Sequence, residues 1–207
     1  MGNRLFLIVS VIITFTFCGC IIRNAFETVP DRALFENKSI GLNQLIETDG
    51  YYIGRRFQNY GPLWDTFILY DDGTYGLLNI PEDSLGQEGV RLWSIISNRY
   101  MLSENTAWTS GGIVSIKGDT IRIDTYEIYY PFRYVRREYF KVLDRKTLLK
   151  IGVRHYGRTN DEIRFSEDNT KYFFVKASDL PSCAVYLKEE KWAWKNKIDY
   201  KKYIANH

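Results

Sequence analysis

Two residues of this sequence, His155 and Cys183, have side chains of the types used in nucleophilic catalysis. A thiol and an imidazole act together only when the fold brings them within hydrogen-bond distance, and no motif spacing joins these two. A cysteine without a partner is usually a packing residue, and His155 continues an apolar strand face, as interior or rim histidines do. We therefore expect the protein not to be an enzyme.

The sequence also lacks the patterns that bind metals, phosphates and nucleic acids. Apart from cysteines near the N-terminus it has one cysteine and two histidines, which make a poor zinc ligand set. It contains no phosphate-binding glycine loop and no nucleophile elbow. The formal net charge is +3, which is too small for a nucleic-acid binder. We expect no metal, no cofactor and no nucleic-acid partner.

Tyrosines and arginines indicate binding instead. The chain has 16 Tyr, 12 Phe and 5 Trp, a composition that favours strands. The inward face of a small barrel is either packed solid or lines a cavity. Tyrosines and arginines on that face fit an amphipathic pocket, and they equally fit ordinary packing with arginines that reach the solvent. The predicted ligand-binding residues are Tyr52, Arg55, Tyr70, Tyr126, Tyr130, Arg136 and His155.

The elements that must position these residues are short antiparallel strands. Asp72-Gly73 and Gly118-Asp119 are turn pairs between apolar runs, and they predict hairpins over residues 63–80 and 113–130. About eight to ten strands joined mainly by short turns predict a mainly β fold. Closure of this meander into a barrel would remove its exposed edges.

Two patterns predict details of individual strands. The apolar alternation changes phase inside the second hairpin, which predicts a bulge or a bend near Thr125. In residues 147–157, Leu149, Ile151 and His155 alternate with Lys150, which predicts an apolar face that excludes the lysine.

The C-terminal segment has a helical pattern. Residues 178–181 combine serine, aspartate and proline, which predicts a helix from about residue 180. Leu187, Trp194 and Ile198 recur at helical spacing. Trp192 would lie about 200° from Trp194 around such a helix, so we expect Trp194 to be buried and Trp192 to meet a rim, a partner or lipid.

The first twenty residues resemble a bacterial lipoprotein signal. Arg4 precedes an apolar run over residues 5–17, shorter than the roughly 20 residues of a spanning helix, and Gly19-Cys20 follows it like a lipobox. The resemblance implies a signal peptide at 1–19, lipidated Cys20 with a tether over 20–37, and stable anchoring by several acyl chains. An uncleaved anchor helix is the alternative.

The expected membrane location follows from the same resemblance, and the domain organisation follows from the chain length. No aspartate follows Cys20 directly, which implies the outer membrane, and no acidic cluster follows it, which favours a periplasm-facing position. Residues 38–207 are long enough for one domain with a hydrophobic core of its own.

Residues 49–176 resemble the small lipocalin-like β-barrel lipoproteins of Gram-negative bacteria. The resemblance is carried by four motifs: Gly50-Tyr51-Tyr52, the turn at 70–74, the turn at 116–121, and Trp192-Ala193-Trp194. It implies an antiparallel meander that closes into a lipocalin-like barrel with a C-terminal helical segment.

Two functions remain open. The first is a membrane-anchored binding module for a small apolar or amphipathic ligand or an envelope component. The second is a structural or accessory lipoprotein that docks onto an envelope protein. A cavity with convergent polar groups favours the first, and a solid core with an exposed aromatic patch favours the second.

Overall fold

The computed structural model describes residues 29–36, 38–58, 61–78, 80, 85–91, 108–129, 132–156, 164–181 and 186–206. The predicted signal peptide, Cys20, Tyr130 and Cys183 lie outside these residues.

The described residues form ten strands and two α-helices. The strands are β1 (Gly50–Gln58), β2 (Gly61–Leu69), β3 (Thr74–Leu78), β4 (Val90–Arg91), β5 (Trp108–Lys117), β6 (Thr120–Tyr129), β7 (Phe132–Asp144), β8 (Thr147–Tyr156), β9 (Arg164–Glu167) and β10 (Lys171–Ser178). Helix α1 (Leu42–Leu45) precedes β1. After β10 come two 3-10 turns, Tyr186–Glu189 and Lys191–Ala193, and then helix α2 (Lys197–Asn206).

Eight strands close into an antiparallel barrel in the order β10-β1-β2-β3-β5-β6-β7-β8, with β8 pairing back onto β10. Strand β9 extends this wall by pairing with the last part of β8, and β4 pairs in parallel with the end of β10. Closure leaves no free edge within the barrel. The prediction of an antiparallel meander that closes into a barrel, with a C-terminal helix, is confirmed.

Both predicted hairpins are present. Strands β2 and β3 flank the Asp72-Gly73 turn, and Gly73 has a φ of 83°, a left-handed conformation that glycine adopts without steric cost. Strands β5 and β6 flank the Gly118-Asp119 turn. Helix α1 lies at this end of the barrel, because the Asn43 amide donates to Asp71 and Arg145 donates to the carbonyls of Asn43 and Gln44. This end is called the closed end below.

The apolar core has three parts, one inside the barrel and two on its outer wall. The inner part includes Leu42, the first residue of α1, and Ile46, which directly follows α1. Both residues cover the closed end. One outer part covers β10, β1, β2 and β3, with Leu85 and Leu180 packed over it. The other covers the β5–β8 side and holds together residues from both ends of the described chain.

The N-terminal segment, residues 29–36, is fixed to that second wall by buried polar contacts. Arg137 donates from Nε to Asp124 Oδ1 at 2.7 Å and from an Nη to the carbonyl of Pro30 at 2.9 Å. The amide of Ala33 donates to Asp124 Oδ2 at 2.8 Å. Burial alone would lower the pKa of Arg137, but the hydrogen bonds to Asp124 outweigh it and raise that pKa. The N-terminal segment is therefore an integral part of the fold.

The predicted bulge near Thr125 is wrong. The register of β6 against β5 and β7 runs without a shift past Thr125. Ile123 packs inside the barrel and Tyr126 packs in the outer cluster beneath the terminal segments. The apolar pattern changes phase because burial moves from the inner to the outer face, while the backbone stays regular.

The predicted apolar face of β8 is wrong in the first half of the strand. Leu148 and Lys150 are buried there, whereas Leu149 and Ile151 are half-buried. A bulge opposite Phe140 then shifts the register, so the simple alternation ends there. Val153, which continues the alternation of Leu149 and Ile151, is buried as predicted. Lys150 can lie inside because an acidic residue of β7 pairs with it, as described below.

The continuous helical stripe predicted for the C-terminal segment is wrong in part. Trp194 is buried, as predicted, and its ring centroid lies 5.7 Å from that of Phe35. Ile198, however, is 61% exposed, because residues 186–193 form 3-10 turns and α2 begins on a new axis. Trp192 is half-buried against Tyr126, at 5.0 Å. Neither helix in the described ranges has the length and apolar character needed to cross a bilayer.

Candidate functional site

The middle of the barrel is filled by an aromatic floor, which consists of Tyr52, Phe67, Tyr75, Phe140 and Tyr172. Phe67 lies at its centre, with ring centroids 5.1 to 5.7 Å from those of the other four. Glycine at position 54 makes this packing possible, because a Cβ there would come within 2.6 Å of the Tyr172 ring. The floor separates the closed end from the opposite end of the barrel, which is called the far end below.

An inner charged cluster of Asp65, Arg136, Glu138 and Lys150 lies on the side of the floor that faces the far end. Lys150 Nζ forms a buried ion pair and hydrogen bond with Glu138 Oε1. Arg136 approaches Glu138 at 3.7 Å, and the Tyr172 hydroxyl donates to Asp65 Oδ2 at 2.8 Å. The cluster thus joins two carboxylates and two cations, and Lys150 also lies 3.7 Å from the carboxylate of Asp168.

A small cavity lies between the floor and the cluster. Its volume is about 30 Å³, which is room for about two water molecules. Among the described residues its lining is Asp65, Phe67, Tyr75, Leu77, Arg136, Glu138, Phe140 and Tyr172. The cavity therefore joins an apolar base to carboxylate, guanidinium and phenol groups.

Charges inside the barrel are costly to retain. Each ion loses several kcal/mol of hydration on burial, so an apolar pair of similar volume is often as stable or more stable. Lys150 is 2% exposed and Glu138 is 4% exposed. Such convergent buried charges beside a cavity are typical of functional sites, although structural ion-pair networks have the same appearance.

Of the seven predicted ligand-binding residues, the structure brings Arg136 to the cavity. His155 is the register partner of Arg136 across β7 and β8, and its side chain is exposed near the far end. Tyr52 is part of the floor, but its hydroxyl donates to the carbonyl of Glu47 at the closed end, 3.0 Å away. Burial raises the pKa of Tyr52, so this phenol stays neutral.

Three further predicted residues lie on the outer side of the barrel. Arg55 is exposed and stands over the Trp64 ring at 5.4 Å. The Tyr70 hydroxyl donates to the carbonyl of Pro181. Tyr126 packs in the outer cluster with the terminal segments, and burial raises its pKa. Tyr130 lies outside the described residues.

The residues of the site that were not predicted include Asp65, Glu138, Lys150 and Tyr172. Asp65 and Lys150 each interrupt an apolar run, in β2 and β8, and that interruption was the available signal. Glu138 lies among arginines and aromatic residues in β7, and Tyr172 precedes two phenylalanines in β10, so neither stands out in the sequence.

The described part of the chain contains no group of three or more His, Cys, Asp or Glu side chains that could hold a metal ion. In comparisons with known proteins, no family model, no curated protein and no solved structure matches this chain. The functional argument therefore depends on the residues and their geometry.

Proposed function

We propose that this protein is a lipid-anchored binding module of the outer membrane, facing the periplasm, that receives the polar head of a small amphipathic ligand at the far end of its barrel. The observation that carries the proposal is the inner charged cluster next to the cavity. Its role is binding rather than catalysis, because its charged groups pair with one another and with Tyr172.

The cavity restricts the ligand. The cavity has room for about two water molecules, so the apolar part of the ligand lies outside it. Asp65 and Glu138 offer acceptors and Arg136 offers donors. A head group that carries both signs of charge complements this mixed set of carboxylates and cations better than a purely anionic or cationic one.

The anchor part of the proposal depends on the sequence. Gly19-Cys20 follows a short apolar run, and Val29, nine positions after Cys20, packs in the outer apolar cluster. Acylation of Cys20 would hold the barrel at the membrane surface, where amphipathic ligands are available.

Photo-cross-linking of the membrane-bound full chain tests the binding role. The probe is a phosphocholine amphiphile with a diazirine close to its head group. We expect adducts on peptides that contain Leu77 or Tyr172, and a loss of about tenfold in Arg136→Gln, because a charge-assisted hydrogen bond contributes about 1.5–3 kcal/mol.

Arg122→Gln is the matched control. The side chains of Arg122 and Arg136 are both 23% exposed, and each lies within 3.8 Å of a buried carboxylate, but Arg122 pairs with Asp124 on the outer wall. Labelling should persist in this variant. Adducts confined to the outer surface, or an equal loss in both variants, would contradict binding inside the barrel.

A second candidate function is docking onto an envelope protein, and an exposed aromatic pair favours it. Phe173 is 54% exposed and Trp64 is 43% exposed on the outer faces of strands that flank β1. Arg55 and Lys171 are exposed nearby, so the partner would present an apolar, acidic patch.

A cross-linking amino acid placed at Phe173 in cells tests this second function. The same replacement at Leu143, which is 45% exposed on β7, is the control. A discrete protein adduct at position 173 and none at 143 would support docking. Equal patterns at the two positions would oppose it.

A further inference from the structure

Helix α2 presents an exposed face of mixed basic and apolar character, called the basic face below. At 3.6 residues per turn it covers about 160° of the helix circumference. Ile198 and Ile204 on this face are 61% and 44% exposed. Its members are Lys197, Ile198, Lys201, Lys202 and Ile204.

The opposite side of α2 is fixed to the barrel. The Tyr203 ring lies 5.3 Å from that of Trp194, and the Tyr200 hydroxyl donates to the carbonyl of Glu189 at 3.2 Å. These contacts hold the helix in one orientation, and the basic face points away from the core.

The lysines of the basic face have no acidic partner in the described part of the chain. Two other lysines of the C-terminal segment are paired, because Lys188 bonds Asp72 and Lys195 bonds Glu36, each at 2.6 Å. Residues 186–206 contain six lysines and three acids, a balance of +3 that equals the formal charge of the whole chain. The positive charge of the protein is thus concentrated on this segment.

The segment that leads into α2 packs against residues 29–36, the described residues nearest to Cys20 in the sequence. Phe35 donates its amide to the carbonyl of Ala193 at 2.8 Å, and Val29 lies in the same apolar cluster as Trp194. Eight residues lie between Cys20 and Val29, so the lipid would be at most about 30 Å from Val29. That distance is about twice the length of α2.

We propose that the basic face of α2 is a second membrane contact, which binds an anionic lipid surface and orients the barrel on the bilayer. Clustered lysines attract anionic lipid, and exposed apolar side chains between them enter the interface. This inference rests on the proposed lipid anchor, which brings the helix to the membrane.

Hydrogen exchange of the full chain on vesicles tests the proposal. Neutral vesicles of phosphatidylcholine are compared with vesicles that contain 30% phosphatidylglycerol. We expect slower exchange in residues 197–206 on the anionic vesicles alone, with the difference abolished at high salt because exposed charges are then screened.

The test variant replaces Lys197, Lys201 and Lys202 by glutamine, a residue that retains helix propensity. Removing three lysines near an anionic surface should weaken the contact about 100-fold. The control variant replaces three exposed lysines of the barrel, Lys117, Lys146 and Lys171, and thus changes the net charge equally. The control should retain the protection.

The outcomes separate this contact from the anchor. Equal exchange on both kinds of vesicle, or equal loss in the test and control variants, would overturn the contact. Flotation with neutral vesicles reports the anchor independently. Suppose that the chain floats only with anionic vesicles, that high salt prevents this flotation, and that the test variant does not float. This result would refute the anchor and support the contact.

Discussion

Replacement of Lys150 by methionine removes one partner of the buried ion pair inside the barrel. The ion pair with Glu138 is lost, and so is the 3.7 Å approach of Lys150 to Asp168. Methionine preserves the length and most of the volume of the side chain, so the packing of Phe140 is little changed. Glu138 is left as a buried carboxylate with a more distant neighbour, Arg136.

The expected cost is large. Removing one partner of a buried pair typically destabilises a protein by about 3–5 kcal/mol. For a domain of 150–250 residues, about 1 kcal/mol shifts the Tm by about 2–4 °C, so Lys150→Met should lower the Tm by roughly 6–20 °C. Urea unfolding of the full chain in detergent, followed by tryptophan fluorescence, measures the same change as a free energy of unfolding.

The double variant Glu138→Leu/Lys150→Met separates stability from function. An apolar pair avoids the desolvation of both ions, so this protein should be about as stable as the wild type, or up to about 4 kcal/mol more stable. It should nevertheless lose labelling by the phosphocholine probe. Lys141→Met, at an exposed lysine of β7, is the control and should stay within about 1 kcal/mol of the wild type.

Two results would refute this reasoning. A single variant as stable as the Lys141→Met control would mean that the Lys150–Glu138 pair is not a buried interaction in solution. A double variant as unstable as Lys150→Met would mean that the charges are retained for folding.

Further predictions concern the terminal segments. Arg137→Met should cost about 3–5 kcal/mol and accelerate hydrogen exchange in the N-terminal segment, because Asp124 is left buried without its main partner. Trp194→Ala should lower the free energy of unfolding by about 3–5 kcal/mol, and alanine at the half-buried Trp192 should lower it less. The hydrogen bond from Lys195 lowers the pKa of Glu36. The ionised Glu36 therefore stabilises the folded state fully above the usual pKa of 4.5, and this stabilisation is lost as the pH falls through the lowered pKa. The Glu36→Gln variant should lack this acid-sensitive part of the unfolding curve, which is at most about 1 kcal/mol.

The hairpins and the closure of the barrel could be predicted because they depend on local chemistry. Asp72-Gly73 and Gly118-Asp119 combine turn residues with flanking apolar runs, and the pairing of successive strands follows from such turns. Burial of Trp194 was predicted from a continuous helical stripe with Leu187 and Ile198, which the structure does not have. The residue is buried for another reason, because its ring lies against those of Phe35 and Tyr203.

The charged interior could not be predicted because alternation identifies a buried face without saying what covers it. Tyr126 and Asp124 are buried on the outer wall by chain segments that are distant in sequence. Lys150 is buried on the inner wall by an acid from the neighbouring strand. In each case a contact with another part of the chain decides which face of the strand is buried, and no local pattern contains that information.

Native mass spectrometry of the full-length protein, released from its own membranes in mild detergent, tests the proposed function most directly. The expected result is a chain that begins at Cys20, carries acyl groups and retains a non-covalently bound small molecule. Arg136→Gln should lose that molecule, and Arg122→Gln should retain it. A chain that begins elsewhere would contradict the anchor. A wild-type protein without a bound molecule, or two variants that retain the molecule equally, would contradict the binding site.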